Sequence, residues 1–190
     1  MAAFSLIELM FALGVAATLA SAAVPPLRTG LDGIQAAGAA RHVVARLQQA
    51  RVRAVVRGRD TAVRFSRGTA GYTETMYEDG NGNGVLAADI AAGVDIPVMS
   101  SERLADQFPG VDYGALPAIP GAEGSAPPGS DPIRLGSSDA VTFTPAGTAT
   151  SGSLYVLGRG GVQLVVRIYG ETGRTRVLKY QRATGLWSAP

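Results

Sequence analysis

A single histidine, fifteen carboxylates and no cysteine bound the chemistry this chain can perform. Thiol catalysis, a cysteine zinc site and a disulfide scaffold are excluded. His42 would have to carry any serine–histidine or histidine–metal centre, and the four residues on either side of it hold no acid. It reads as a surface or packing histidine rather than a base. Asp79-Gly80-Asn81-Gly82-Asn83-Gly84 matches the first half of a calcium loop, D-x-N-x-N-G, with oxygens at alternate positions and glycine at the turn. The twelfth position, where a bidentate glutamate belongs, is Ile90, and Asp89 falls one place early. Asp79, Asn81 and Asn83 are thus a weak metal candidate, and a surface turn of residues tolerant of positive φ is the preferred reading. The same glycines lack the strand-to-helix context of a phosphate loop. The acids between Glu74 and Asp139 read as scattered through loops, with nothing to raise one pKa. Trp187 reads as a core plug. No metal and no cofactor are expected, and the chain does not read as an enzyme.

The remaining chemical oddity is Glu8. It is the only charge in the 21 residues from Phe4 to Val24, FSLIELMFALGVAATLASAAV. As a helix that run is about 31 Å long, enough to cross a bilayer core. A carboxylate at membrane depth costs a few kcal/mol and needs a function, a partner or a position near the interface. A cleaved export signal is the alternative, with Ala20-Ser21-Ala22 as its A-x-A site and cleavage after Ala22. Met1-Ala2-Ala3 supplies no basic residue in front of it.

These residues need elements to position them. Pro25-Pro26 predicts a break in the helix. Apolar periodicity then resumes as Ala40, Val43, Leu47, Ala50 and Ala54, one helical seam, with Gly58 as its stop. Arg41, Arg46, Arg53 and Arg57 lie largely off that seam and read as a solvated face. After Gly58 the period changes to two. Thr61–Phe65 and Tyr72–Tyr77 form a predicted hairpin. Val141–Phe143, Leu154–Leu157, Val162–Tyr169 and Arg176–Tyr180 read as further strands, the last three an antiparallel meander with glycine-rich turns. Residues 117–132, PAIPGAEGSAPPGSDP, read as a mobile loop by composition.

Charge is segregated along the chain although the net is only +2. Arg28 to Arg67 carries nine arginines against two acids, and Glu74 to Asp139 eleven acids against two arginines. Sixteen of the seventeen basic residues are arginine, which suits phosphate but specifies no site by itself.

Phe4-Ser5-Leu6-Ile7-Glu8-Leu9-Met10 resembles the start of mature type IV pilins and type II secretion pseudopilins. The resemblance implies cleavage between Ala3 and Phe4 by a prepilin peptidase and N-methylation of Phe4. It makes Glu8 the fifth mature residue, the assembly glutamate, and places Pro25 at the end of the membrane half. The segment from Asp79 to Gly84, the Val141–Thr148 and Gly152–Val156 pair, and Gly173-Arg174-Thr175-Arg176 are similar to segments of the GspH/FimT group. Residues 85–140 match nothing in that pattern. The fold implied is α+β and pilin-like: a long N-terminal helix, membrane half plus amphipathic half, packed on antiparallel β-sheets. Its parts would be a leader remnant 1–3, a transmembrane and polymerisation helix 4–24, a periplasmic amphipathic helix 25–58, and a β head 59–190.

The function implied is that of a structural minor pilin or pseudopilin of a type II secretion or type IV pilus filament, anchored singly in a bacterial inner membrane with its head in the periplasm. Its partners would be other pilins or pseudopilins, the peptidase and the membrane. Resemblance to DNA-uptake minor pilins supplies an alternative, with Arg174, Arg176, Lys179 and Arg182 as nucleic-acid contacts. A Sec-exported periplasmic β-protein is the other.

Overall fold

The change of hydrophobic period at Gly58 divides the chain into one helix and a β head. The structure, a computed structural model, describes residues 5–136 and 138–190, with the backbone alone for 22–29. Helix α1 runs Leu6–Arg57, 52 residues without interruption. It passes through Pro25 and Pro26, where a break is predicted from sequence. Proline's fixed φ is itself helical, so what the pair removes is two ladder hydrogen bonds. Gly58 ends the helix in the left-handed region at φ 65°, its N–H donating to the Ala54 carbonyl.

The head contains β1 (Thr61–Gly68), β2 (Gly71–Glu78), α2 (Ala87–Ala92), β3 (Ile96–Pro97), α3 (Leu104–Gln107), β4 (Asp112–Tyr113), β5 (Ile133–Arg134), β6 (Ala140–Phe143), β7 (Gly152–Leu157), β8 (Gln163–Tyr169), β9 (Arg174–Gln181) and β10 (Leu186–Ser188). Two antiparallel sheets form, in the orders β3-β2-β1-β6 and β10-β9-β8-β7-β4, with β5 also on β7. The hairpin and the meander stand where the period-two segments lie. The two-residue strands are too short to carry a period, and β10 has no alternation of its own.

The second half of α1 packs across both sheets. Ala36, Ala39, Ala40, Val43, Leu47, Ala50 and Ala54 are buried in one core with Val63 and Phe65 of β1, Met76 of β2 and Leu164, Val166 and Ile168 of β8. Small residues set the approach: a Cβ at Gly158 would come within 2.9 Å of the Ala36 methyl. The seam 40-43-47-50-54 is therefore the contact face that its spacing predicts.

A smaller apolar cluster lies on the far side of the second sheet: Tyr155, Val165 and Leu178, covered by Ile119 and Ala122. Residues 119 and 122 belong to the segment whose composition reads as a mobile loop. Instead it is strapped to the sheet. The Trp187 indole N–H donates to the Pro120 carbonyl at 3.0 Å, and Glu123 accepts from Tyr169 at 2.6 Å and Arg176 at 2.9 Å. Composition does not report anchors that are 46 to 67 residues away.

Candidate functional site

Among the described side chains, those that open α1, residues 6–21, are all exposed. Leu6, Ile7, Leu9, Met10, Phe11, Leu13, Val15 and Leu19 are all exposed, Ile7 and Phe11 to 75%. At 100° per residue these positions surround the helix. A helix that is apolar all round belongs inside a membrane or a protein core. Glu8 sits in the first turn among them. Leu31 and Ile34, beyond the prolines, are exposed too. Among the described residues no helix is long and apolar enough to cross a membrane; the described side chains of this run are those of 5–21. Ala3 and Phe4, the expected processing residues, lie outside the described residues.

Inside the head, the acids sort into two kinds. Asp79 is buried, and its carboxylate accepts backbone N–H groups from Asn81 at 3.0 Å, Gly82 at 2.8 Å and Gly84 at 3.0 Å. Burial pushes this carboxyl up, but the backbone donors outweigh it and hold it below the ordinary range. Asn81 and Asn83 turn their amide N–H groups to Asp89, at 3.3 and 2.9 Å. Asp95, also buried, closes the loop by accepting from Gly80 and Leu86. The expected metal-candidate oxygens of Asp79 are thus engaged by the turn itself.

Glu74 is the other kind. Along β2, Tyr72, Glu74 and Met76 occupy the buried register, so a carboxylate stands at a core position with 1% exposure. It accepts from the Tyr113 hydroxyl at 2.6 Å and from Arg46 Nε at 3.3 Å. Burial raises its pKa, against the Tyr113 hydrogen bond and the Arg46 charge; burial, then Glu74, also raises Tyr113 well above its ordinary value. Glu102 pairs with Glu74 through two backbone hydrogen bonds and meets Arg46 Nη2 at 2.6 Å. His42 Nε2 faces both acids, 3.9 Å from Glu74 and 3.6 Å from Glu102.

Two sequence expectations fail here. The carboxylates are not all in loops with unperturbed pKa, because strand alternation turns Glu74 inward. Nor is the arginine face uniformly solvated: Arg46 is buried, and Arg53 pairs with Glu78 at 2.6 Å. No local pattern marks these partners, which are 25 to 28 residues apart in sequence.

The closing segment does not present its four cations together. Arg174 and Arg176 share the face of β9 that carries Leu178, on the outer cluster. Lys179 has the register of Thr175 and Val177, and that face meets α1: Gln48 donates to Thr175 at 3.3 Å. Arg176 is paired with Glu123, and Arg182, beyond β9, donates to the Gly161 carbonyl at 3.0 Å.

The family model of the type II transport protein GspH matches residues 39–173, about seven-tenths of the chain. The chain belongs to the GspH family. The match runs straight through residues 85–140, which resemble nothing in the sequence reading, and stops short of both the apolar helix half and the closing strand. Among solved structures, the chain is similar to the minor pseudopilin EpsH of the type 2 secretion system of Vibrio cholerae, at 17% identity and TM-score 0.47 over 76% of this chain and 97% of that one. A search of curated proteins finds no match. The architecture of this GspH-family protein, one long helix against antiparallel sheets, is the α+β arrangement expected from its sequence.

Proposed function

We propose that this GspH-family chain is a structural minor pseudopilin, incorporated into a periplasmic type II secretion filament through the N-terminal half of α1. The observation that carries it is the all-round apolar helix Leu6–Leu19, which its own head leaves bare. Lipid covers such a surface before assembly and neighbouring subunits cover it afterwards. The run from Phe4 to Val24 supports a single inner-membrane anchor. Prepilin peptidase cleavage before Phe4, with methylation of that residue, belongs to the same reading. N-terminal sequencing of the mature chain tests it. A methylated Phe4 is the expected start, whereas a start at Ala23 would make the chain a simply exported β-protein.

Within this reading Glu8 is the assembly residue. Cleavage before Phe4 creates a cationic amine about 6 Å along the axis, and a staggered neighbour can bring its amine alongside Glu8. Such a pair in an apolar filament core sets register more than stability. Glu8→Ala should leave the head folded and the chain in the membrane, yet abolish crosslinking to partner subunits. Glu8→Gln should be nearly as damaging, since the amide keeps size and loses charge. Normal incorporation of both variants would leave Glu8 only a processing or helix-capping role. Arg174 and Arg176 share one face of β9 while Lys179 lies on the other and Arg182 beyond the strand, so the four closing cations form no single contact surface.

A further inference from the structure

Among the described residues, one group of side chains combines imidazole and carboxylate at metal-ligand spacing: His42, Glu74 and Glu102. From it we infer that the head binds one zinc-class divalent cation between α1 and the edge of the first sheet. The candidate ligand atoms all lie within 4.8 Å of one another. His42 Nε2 stands 3.6 and 3.9 Å from the two carboxylates, too far for charge-assisted hydrogen bonds. Ligands about 2.0–2.2 Å from a tetrahedral ion are about 3.3–3.6 Å apart, so His42 has to close on the carboxylates by roughly half an ångström or less.

The surroundings suit an ion. Glu102 Oε1 is buried and touches the Arg46 guanidinium, yet receives no aligned hydrogen bond. Glu74 keeps its second oxygen on the Tyr113 hydroxyl, as ligating carboxylates are held by outer partners. The Phe108 ring lies 5.7 Å from the His42 ring and fixes its placement. Arg46 neutralises one of the two carboxylates, so with neutral imidazole the set remains singly negative. Mixed nitrogen and oxygen donors select a borderline ion over calcium. His42, Arg46, Met99 and Glu102 also line an open groove of about 1080 Å³, which provides entry and room for a water ligand. The bound ion would tie α1 to β2 and to the Glu102 segment. Arg46 beside it is displaced toward Met99, whose sulfur it already meets at 3.1 Å.

The test uses the full chain in detergent micelles, titrated with zinc chloride by calorimetry and followed by thermal unfolding. We expect one equivalent bound and a midpoint that rises with zinc. His42→Gln and Glu102→Gln, both at half-buried positions, should each weaken binding at least about tenfold and abolish the rise. Asp79→Ala should leave binding unchanged. Cobalt in place of zinc should give the visible absorption of a low-coordinate site. No saturable uptake by the wild-type chain overturns the inference. So does uptake that the His42 and Glu102 variants leave intact, or uptake that Asp79→Ala removes. A midpoint that zinc leaves unchanged also overturns it.

Discussion

The two halves of α1 share one continuous backbone and almost nothing else. From Leu6 to Leu19 the large apolar side chains point in every direction and all are exposed. From Ala36 to Ala54 the buried apolar residues form one stripe, mostly alanine, while Arg41 and Val52 lie outside it and are exposed. The first half is a helix made for an outside solvent or partner, and the second is a wall of the core. The difference teaches that helix propensity is common to both, while burial and polar pairing decide which half can be changed without unfolding the head.

The largest effect should come from Arg46→Met. It leaves Glu74 buried beside Glu102 without a guanidinium and should cost about 3–5 kcal/mol of head stability at neutral pH in urea unfolding. Leu47→Ala, at a fully buried seam position, should cost about 2–5 kcal/mol. If either change proved as mild as one in the first half, the contrast between the halves would collapse.

A smaller loss, about 1–3 kcal/mol, is expected for Asp79→Ala, which strands three backbone N–H groups. Added calcium should not stabilise the wild-type chain, because it would have to displace those donors. Tight calcium binding lost in Asp79→Ala would show the loop to be a site after all.

The same two acids predict opposite pH slopes. Glu74 is raised, so the folded head keeps its proton to higher pH than the unfolded chain does. Stability linked to it is full below the ordinary carboxylate range and declines as pH rises toward the folded value. Asp79 is lowered, so its contribution is full above the ordinary range and is lost as pH falls through the depressed value. Glu74→Gln should remove the decline and Asp79→Asn the acid loss, read from urea midpoints across the carboxylate range. Profiles that match the parent in both variants would contradict the assignment.

The smallest effect belongs to the bare half. Leu13→Ala should change head stability by no more than about 0.5 kcal/mol, since its side chain is 62% exposed. A larger change would mean that the head and this half meet.

The seam from Ala40 to Ala54, the stop at Gly58 and the β1–β2 hairpin were legible because each is a local period or a local backbone requirement. Continuity through Pro25-Pro26 was not, since proline is judged by the bonds it removes and the adjoining turns supply the rest of the ladder. The anchoring of Pro120 and Glu123 was illegible for a related reason: their partners, Trp187, Tyr169 and Arg176, lie far away in sequence.

By itself, the sequence determined that this chain has an apolar helical run marked by Glu8, an amphipathic continuation and a β head, because periodicity and apolar length need no knowledge of neighbours. Only the tertiary structure decided that His42, Arg46, Glu74, Glu102 and Tyr113 converge. Their contacts depend on helix azimuth, strand register and the distance between α1 and the first sheet, none of which leaves a local mark. The physical reason is that a carboxylate's environment is set by what the fold packs against it: Asp79 answers to its own loop, Glu74 to groups 28 and 39 residues away.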